Sequence, residues 1–182
     1  MEFYTEERFK NWIDKIAKSE IKEDDPRTFE VFDQFVEDFA IACLNLIRSV
    51  REREITKKDA IREIENINRL FLISVDFGDG VKNEFFEFIR ESIRVIAYST
   101  KLFLEGKGSK KSFDDLLKDA IRKEKKGDYR GAFETMAKMG VKVLRGEELP
   151  ELQADGFIAN WLDGIEVIDM IMKLNKIDSG SE

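Results

Sequence analysis

The chain has 182 residues, 42% hydrophobic and 38% charged, with a formal net charge of −7. This composition excludes a disordered chain, which would hold too few apolar residues to offset the entropy cost of folding. Histidine is absent and Cys43 is the only cysteine, which excludes an internal disulfide, Ser-His-Asp and Cys-His catalytic groups, and metal sites built on histidine.

Apolar residues recur every three or four positions between helix start and stop signals, a pattern that predicts an all-α bundle of six or seven helices without strands. Thr5 is the predicted cap of the first helix. Asp25 and Pro26 open a long second helix, because proline at the first helical position gives up an amide that has no partner. Thr56, followed three residues later by Asp59, predicts the start of the third helix.

The fourth predicted helix follows the turn "DFGDG" at residues 76–80. It is apolar around most of its circumference from Phe85 to Phe103, which predicts that it is the central helix of the bundle. Gly106 ends this helix, and the polar segment 106–111 is a linker and a possible subdomain boundary. Ser112 is the predicted cap of the fifth helix.

The stretch "KKGDYRGA" predicts the turn of a helical hairpin, in which Gly127 ends one helix and Asp128 caps the next. Gly127, Tyr129 and Ala132 are similar to the turn of a tetratricopeptide repeat. Nothing recurs at a period near 34 residues, however, and a solenoid needs about three repeats to bury its faces. The pattern therefore favours a single hairpin.

The last predicted helix holds Trp161 on its apolar stripe, and the tail from about residue 176 is expected to fray. We therefore expect one all-helical domain over residues 1–182. Charges begin at Glu2, and no uncharged apolar run approaches the roughly 20 residues that a membrane span requires. These features predict a soluble cytoplasmic protein with no membrane partner. Glu and Lys dominate over Gln, a balance that thermophilic proteins favour.

Two sets of carboxylates occur at helical spacing: Glu84, Glu87 and Glu91 on the central helix, and Glu30, Asp33 and Glu37 on the second helix. If the two faces converge, they could hold Mg²⁺, as in all-helical nucleotide pyrophosphatases. On a helical wheel the first set lies opposite the apolar stripe, with Arg90 and Arg94 close enough for ion pairs. A solvated face is therefore favoured, and a Mg²⁺-dependent nucleotide hydrolase is the alternative.

Residues 101–130 hold ten basic and six acidic residues, a net charge of +4, which leaves −11 for the rest of the chain. Lys107, Lys110 and Lys111 are the candidates for an anion or RNA contact, because free amides at the Ser112 helix start would assist them. No aromatic residues interleave these lysines to stack bases. A solvated linker is favoured, so nucleic acid is an unlikely partner and weak anion or RNA binding is a second alternative.

Three segments, "FYTEERFKNWIDK" at residues 3–15, "GEEL" at 146–149 and "NWLDGIEVI" at 160–168, resemble a family of archaeal proteins known as domain of unknown function 2150. The similar pattern runs over nearly the whole chain. The resemblance implies an archaeal cytoplasmic protein and supplies no catalytic residue.

The leading hypothesis is a non-enzymatic, all-helical interaction or regulatory protein. Its motivation is the breadth of apolar surface on the central helix and the absence of a recognisable catalytic motif. The hypothesis predicts a protein partner or self-association. It predicts no catalytic or cofactor-binding residues and no metal, and Mg²⁺ enters only through the hydrolase alternative.

Overall fold

The computed structural model describes residues 3–179, with side chains up to residue 176. Seven α-helices and one short 3-10 helix make up this part of the chain, which contains no strand: α1 Glu6–Lys18, the 3-10 helix Pro26–Phe29, α2 Glu30–Arg51, α3 Lys57–Leu70, α4 Gly80–Leu104, α5 Phe113–Lys125, α6 Tyr129–Leu144 and α7 Gly156–Ser179. The prediction of an all-α, single-domain bundle is confirmed. The predicted fraying tail begins inside α7, and residues 180–182 lie outside the described part.

Helix starts agree with the predicted caps at Thr5, Thr56 and Ser112, whose side chains each accept a hydrogen bond from an amide in the first turn. The second helix differs from its prediction. Pro26 begins a 3-10 helix, and α2 starts four residues later. The Thr28 amide donates to the Asp25 carbonyl at 3.1 Å. A hydrogen bond between residues three positions apart closes a 3-10 turn, whereas an α-helical bond joins residues four positions apart.

Helix α4 is the centre of the bundle, as predicted, because it packs against α2, α3, α6 and α7. Phe86, Ile93, Val95, Ile96 and Ala97 of α4 are buried. A helix with buried residues on several sides cannot be exposed to water without losing a large part of the apolar burial that stabilises the fold.

Two serines on α4 face two glycines on neighbouring helices. Ser92 lies against Gly164 of α7, and Ser99 lies against Gly140 of α6. Each serine hydroxyl also donates to a backbone carbonyl of the same neighbour: Ser92 to Asn160 at 2.9 Å and Ser99 to Ala137 at 3.1 Å. Small residues therefore let α6 and α7 approach the central helix closely, and the hydroxyls bond to the backbones that come near.

Polar contacts hold α1 against the bundle. The Asp38 carboxylate on α2 accepts hydrogen bonds from Arg8 Nε at 2.9 Å and from Trp12 Nε1 at 2.8 Å. Lys82 of α4 is buried, and its Nζ donates to the Ala17 carbonyl near the end of α1 at 3.0 Å. Cations are favourable at a helix C-terminus because the last carbonyls are unpaired and carry partial negative charge.

Helices α5 and α6 form the predicted hairpin and pack against each other. Gly127 adopts a φ of +78° at the end of α5, and Asp128 accepts a hydrogen bond from the Gly131 amide at 2.9 Å. Helices α6 and α7 follow the polar linker and pack against α4, which precedes it. The subdomain boundary at 106–111 stays a prediction.

Among residues 3–179, no helix has the length and apolar character needed to cross a membrane.

Gly164→Ala should destabilise the protein by about 1–3 kcal/mol, since overpacking a tight contact costs this much. The added Cβ would lie 2.6 Å from the Ser92 carbonyl oxygen, and a backbone atom cannot move aside cheaply. Gly80→Ala is the matched control, because no atom lies within 4 Å of its added Cβ. We expect this control to be neutral or stabilising by up to about 1 kcal/mol. Urea unfolding measures both, and equal stability of the two variants would contradict the close contact.

Candidate functional site

A cavity of about 550 Å³ lies between α2, α4 and α7. We call it the acidic cleft. Its apolar wall is formed by Phe29, Phe32, Phe85, Phe88, Val167 and Met170, and its carboxylates are Asp33, Glu37, Asp163 and Glu166. The cleft thus combines an apolar surface with four acidic groups from two helices.

The aromatic part of the wall extends to the protein surface. Phe29 and Phe85 have ring centroids 4.3 Å apart, and Phe85 meets Phe88 edge to face at 5.8 Å. Phe88 is 42% exposed, and Met170 on the α7 side is 39% exposed. Exposed large apolar side chains that line a concavity are characteristic of binding surfaces.

The four carboxylates come from two helix faces. Asp33 and Glu37 are four residues apart on α2, and Asp163 and Glu166 are three residues apart on α7, so each pair shares one side of its helix. Within residues 3–176, none of the four forms an ion pair. The cleft therefore carries negative charge that the described part of the chain does not neutralise.

Burial and nearby negative charges raise the pKa of three carboxylates in the cleft, Asp33, Asp163 and Glu166. Burial, followed by the charge of Glu30, raises the pKa of Asp33 above its ordinary value. Burial and the charge of Asp33 likewise raise the pKa of Asp163. Burial, Asp163 and then Asp169 raise the pKa of Glu166. A positive charge in the cleft would remove this repulsion.

The sequence patterns identified half of this acidic group. Asp33 and Glu37 belong to the predicted set on α2, whereas Asp163 and Glu166 were missed. These two lie in "NWLDGIEVI", where polar positions alternate with buried core residues such as Leu162 and Ile165. That alternation shows that they point away from the core, but the sequence contains no signal that α7 faces α2.

The predicted metal carboxylates do not meet in one place. Glu84 is exposed, and Glu87 pairs with Arg90 at 3.3 Å. Glu91 accepts hydrogen bonds from Trp161 Nε1 at 2.8 Å and from Arg94 at 2.7 Å. None of these three lines the cleft that holds Asp33 and Glu37, and Glu30 is exposed at the start of α2.

Across the described residues, no group of three or more Asp, Glu, Cys or His side chains is placed to hold a metal ion. The Mg²⁺-dependent alternative requires the α2 and α4 carboxylate sets to converge. In the structure, Asp33 and Glu37 of the α2 set line the cleft with carboxylates of α7 instead.

The predicted anion-binding lysines lie on the linker before α5. Lys107 pairs with Glu105 at 2.9 Å, and Lys111 pairs with Asp119 at 3.6 Å. Lys110 is exposed and has no ion pair with a described residue. The Ser112 hydroxyl accepts from the Asp115 amide at 3.1 Å, so one amide of this helix start is already bonded. Two of the three predicted lysines are thus paired with a neighbouring carboxylate.

Residues 2–179 match the family DUF2150, which is described as an uncharacterized protein conserved in archaea. The chain belongs to this family. Comparison with curated proteins and with solved structures gave no significant match.

The three segments that carry the resemblance to DUF2150 each make a polar contact in the bundle. Trp12 donates to Asp38 and Trp161 donates to Glu91, both at 2.8 Å. The Leu149 amide donates to the buried Asp169 on α7 at 3.1 Å. These contacts attach α1, α7 and the loop before α7 to the rest of the bundle, which gives one residue of each segment a structural role.

Asp163→Asn should raise the free energy of unfolding at neutral pH, because it removes a carboxylate whose charged form is disfavoured by burial and by the charge of Asp33. The pKa of Asp163 is raised in the folded protein by burial and then by Asp33. The ionised Asp163 therefore destabilises the folded protein fully at pH values above its folded-state pKa. This destabilisation shrinks as pH falls through that value and disappears below the ordinary pKa of 3.8. The stability gained by Asp163→Asn should therefore be full at neutral pH and absent below pH 3.8.

Urea unfolding at neutral pH and below pH 3.8 measures this gain. Asp14→Asn is the control, since Asp14 is exposed on α1 and does not line the cleft. A gain of the same size in acid and at neutral pH would contradict the electrostatic origin.

Proposed function

We propose that this DUF2150 protein is a non-enzymatic interaction protein that binds a partner protein in the acidic cleft. The observation that carries the proposal is the exposure of Phe88 and Met170 on the wall of a 550 Å³ concavity. Aromatic residues and methionine are enriched in protein interfaces, where their burial supplies much of the binding free energy.

The apolar surface continues beyond the cleft along both flanking helices. Ile41 lies one turn after Glu37 on the same side of α2 and is 44% exposed. Leu174 lies one turn after Met170 on α7 and is 54% exposed. A surface of this length is suited to a protein segment, which can cover several side chains at once.

The available chemistry supports binding over catalysis. Histidine is absent from the chain, so no side chain has an unperturbed pKa near neutrality. Burial raises the pKa of the Cys43 thiol to about 12, which leaves it protonated and unreactive at neutral pH. The hydrolase alternative has no comparable support, because Glu84, Glu87 and Glu91 do not line the cleft that holds Asp33 and Glu37.

A photoreactive side chain in the cleft should crosslink a partner. The test variant is Phe88→benzoylphenylalanine, exposed to the proteins of the native cell extract. The matched control is Phe157→benzoylphenylalanine, since Phe157 is 49% exposed and lies outside the cleft. We expect a partner that crosslinks from position 88 and not from position 157. Identical products from both positions, or none from position 88, would contradict the proposal.

With the purified partner, Phe88→Ala should weaken binding at least tenfold, about 1.4 kcal/mol, whereas Phe157→Ala should change it less than about twofold. Both side chains are partly exposed, so neither variant should unfold the protein. Sedimentation equilibrium distinguishes a foreign partner from a second copy of the chain. A concentration-dependent dimer that Phe88→Ala disrupts would identify the partner as the chain itself.

A further inference from the structure

We infer that the segment bound in the acidic cleft is a basic amphipathic helix, whose Lys or Arg side chains pair with the cleft carboxylates while its apolar side chains cover Phe88 and Met170. This inference rests on the proposed function and specifies the chemistry of the partner. The charges of the cleft, their spacing and the apolar wall each support it.

The cleft carboxylates have no basic partner in the described part of the chain. Some other carboxylates of the bundle do have one: Asp38 pairs with Arg8, Glu91 with Arg94, and Asp169 with Lys173. Opposite charges across an interface direct encounter and select partners, so the cleft is complementary to a basic segment and repels an acidic one.

The spacing of the carboxylates matches that of side chains on a helix. Asp33 and Glu37 are one helical turn apart on α2, a rise of about 6 Å, and Asp163 and Glu166 are just under one turn apart on α7. Basic residues at three- and four-residue spacing on a bound helix would have a similar separation. Both pairs line the same cavity, so one bound segment can reach both.

The apolar wall argues against a small cation as the occupant. A divalent ion or a polyamine would neutralise the carboxylates but would leave Phe88 and Met170 exposed. A helix that lays an apolar stripe into the groove covers these side chains and presents charged residues at the edges, a recurring mode of helix recognition.

Helix α5, which lies in the basic segment 101–130, does not fit this description. On α5, the apolar residues Leu116, Leu117 and Ala120 are buried, and Lys118, Arg122 and Lys125 are exposed. The exposed side of α5 is therefore charged without an apolar stripe. A second copy could supply positive charge through α5, but not the apolar contact that the cleft requires.

Three designed helical peptides test the inference. They share one apolar stripe of Leu and a covalent staple that equalises helicity, and they carry Lys, Gln or Glu at the flanking positions. We expect the Lys peptide to bind at least tenfold more tightly than the Gln peptide, and the Glu peptide to bind more weakly than both. Added salt should reduce the difference, because it screens charges near the surface. Fluorescence anisotropy measures all three affinities.

Variants of the protein then assign the preference to the cleft. The combination of Asp33→Asn, Asp163→Asn and Glu166→Gln should abolish the preference for Lys while leaving the affinity for the Gln peptide unchanged. The control combination is Glu63→Gln, Glu84→Gln and Glu87→Gln, which removes three negative charges outside the cleft. This control should retain the preference, and loss of the preference in both combinations would overturn the inference by showing only a net-charge effect.

The failure of the inference is distinguishable from the failure of the proposed function. If the Lys and Gln peptides bind with equal affinity, and Phe88→Ala abolishes the binding of both, the inference that the partner is basic is overturned. The proposal that the cleft binds a partner would remain. Crosslinking from position 88 without binding of any peptide would overturn the inference that the bound segment is a helix. Absence of both crosslinking and peptide binding would overturn the two together. Displacement of the Lys peptide by micromolar Mg²⁺ or spermidine would identify a small-cation site and overturn the inference.

Discussion

The close approach of α6 and α7 to the central helix is the constraint on which the rest of the structure depends. Gly140 and Gly164 leave no side chain between the backbones, and Ser99 and Ser92 of α4 bond to carbonyls on the two neighbours. Because these serines are seven residues apart, about two helical turns, a single side of α4 provides both contacts. A hydroxyl buried without a partner would be costly, and the neighbouring backbones supply the partner of each serine.

This constraint also positions the acidic cleft. Gly164 lies between Asp163 and Glu166 in the sequence, so its contact with Ser92 sets the rotation of α7 about its own axis. With Gly164 turned toward α4, the two acidic side chains lie beside α2 and line the cleft with Asp33. Ser92 belongs to the same lining. The contact that packs α7 therefore also brings together charges from two helices that are more than a hundred residues apart.

Local signals in the sequence were sufficient to predict where the helices lie and insufficient to predict which residues line the cleft. Capping residues such as Thr5, Thr56 and Ser112 act within a single turn, so they mark helix starts without knowledge of the tertiary structure. The 3-10 turn at Pro26 was missed because its bond from Thr28 to Asp25 competes locally with α-helical pairing. Asp33 and Glu37 were identified, together with Glu30, as carboxylates on one side of α2, but they were matched with α4 instead of α7. Helical periodicity shows which residues share a side of a helix and not which helix that side meets.

The repulsion within the acidic cleft has a consequence for the amount of protein in a cell. An occupant that binds only the folded state stabilises it by mass action, and the gain is larger when binding also relieves like-charge repulsion. Copies without an occupant therefore unfold more often and are exposed more often to proteolysis. If the proposed partner binds the cleft, synthesis beyond the supply of that partner would yield short-lived molecules, and the cleft would couple the abundance of the protein to that of the partner without a separate regulator.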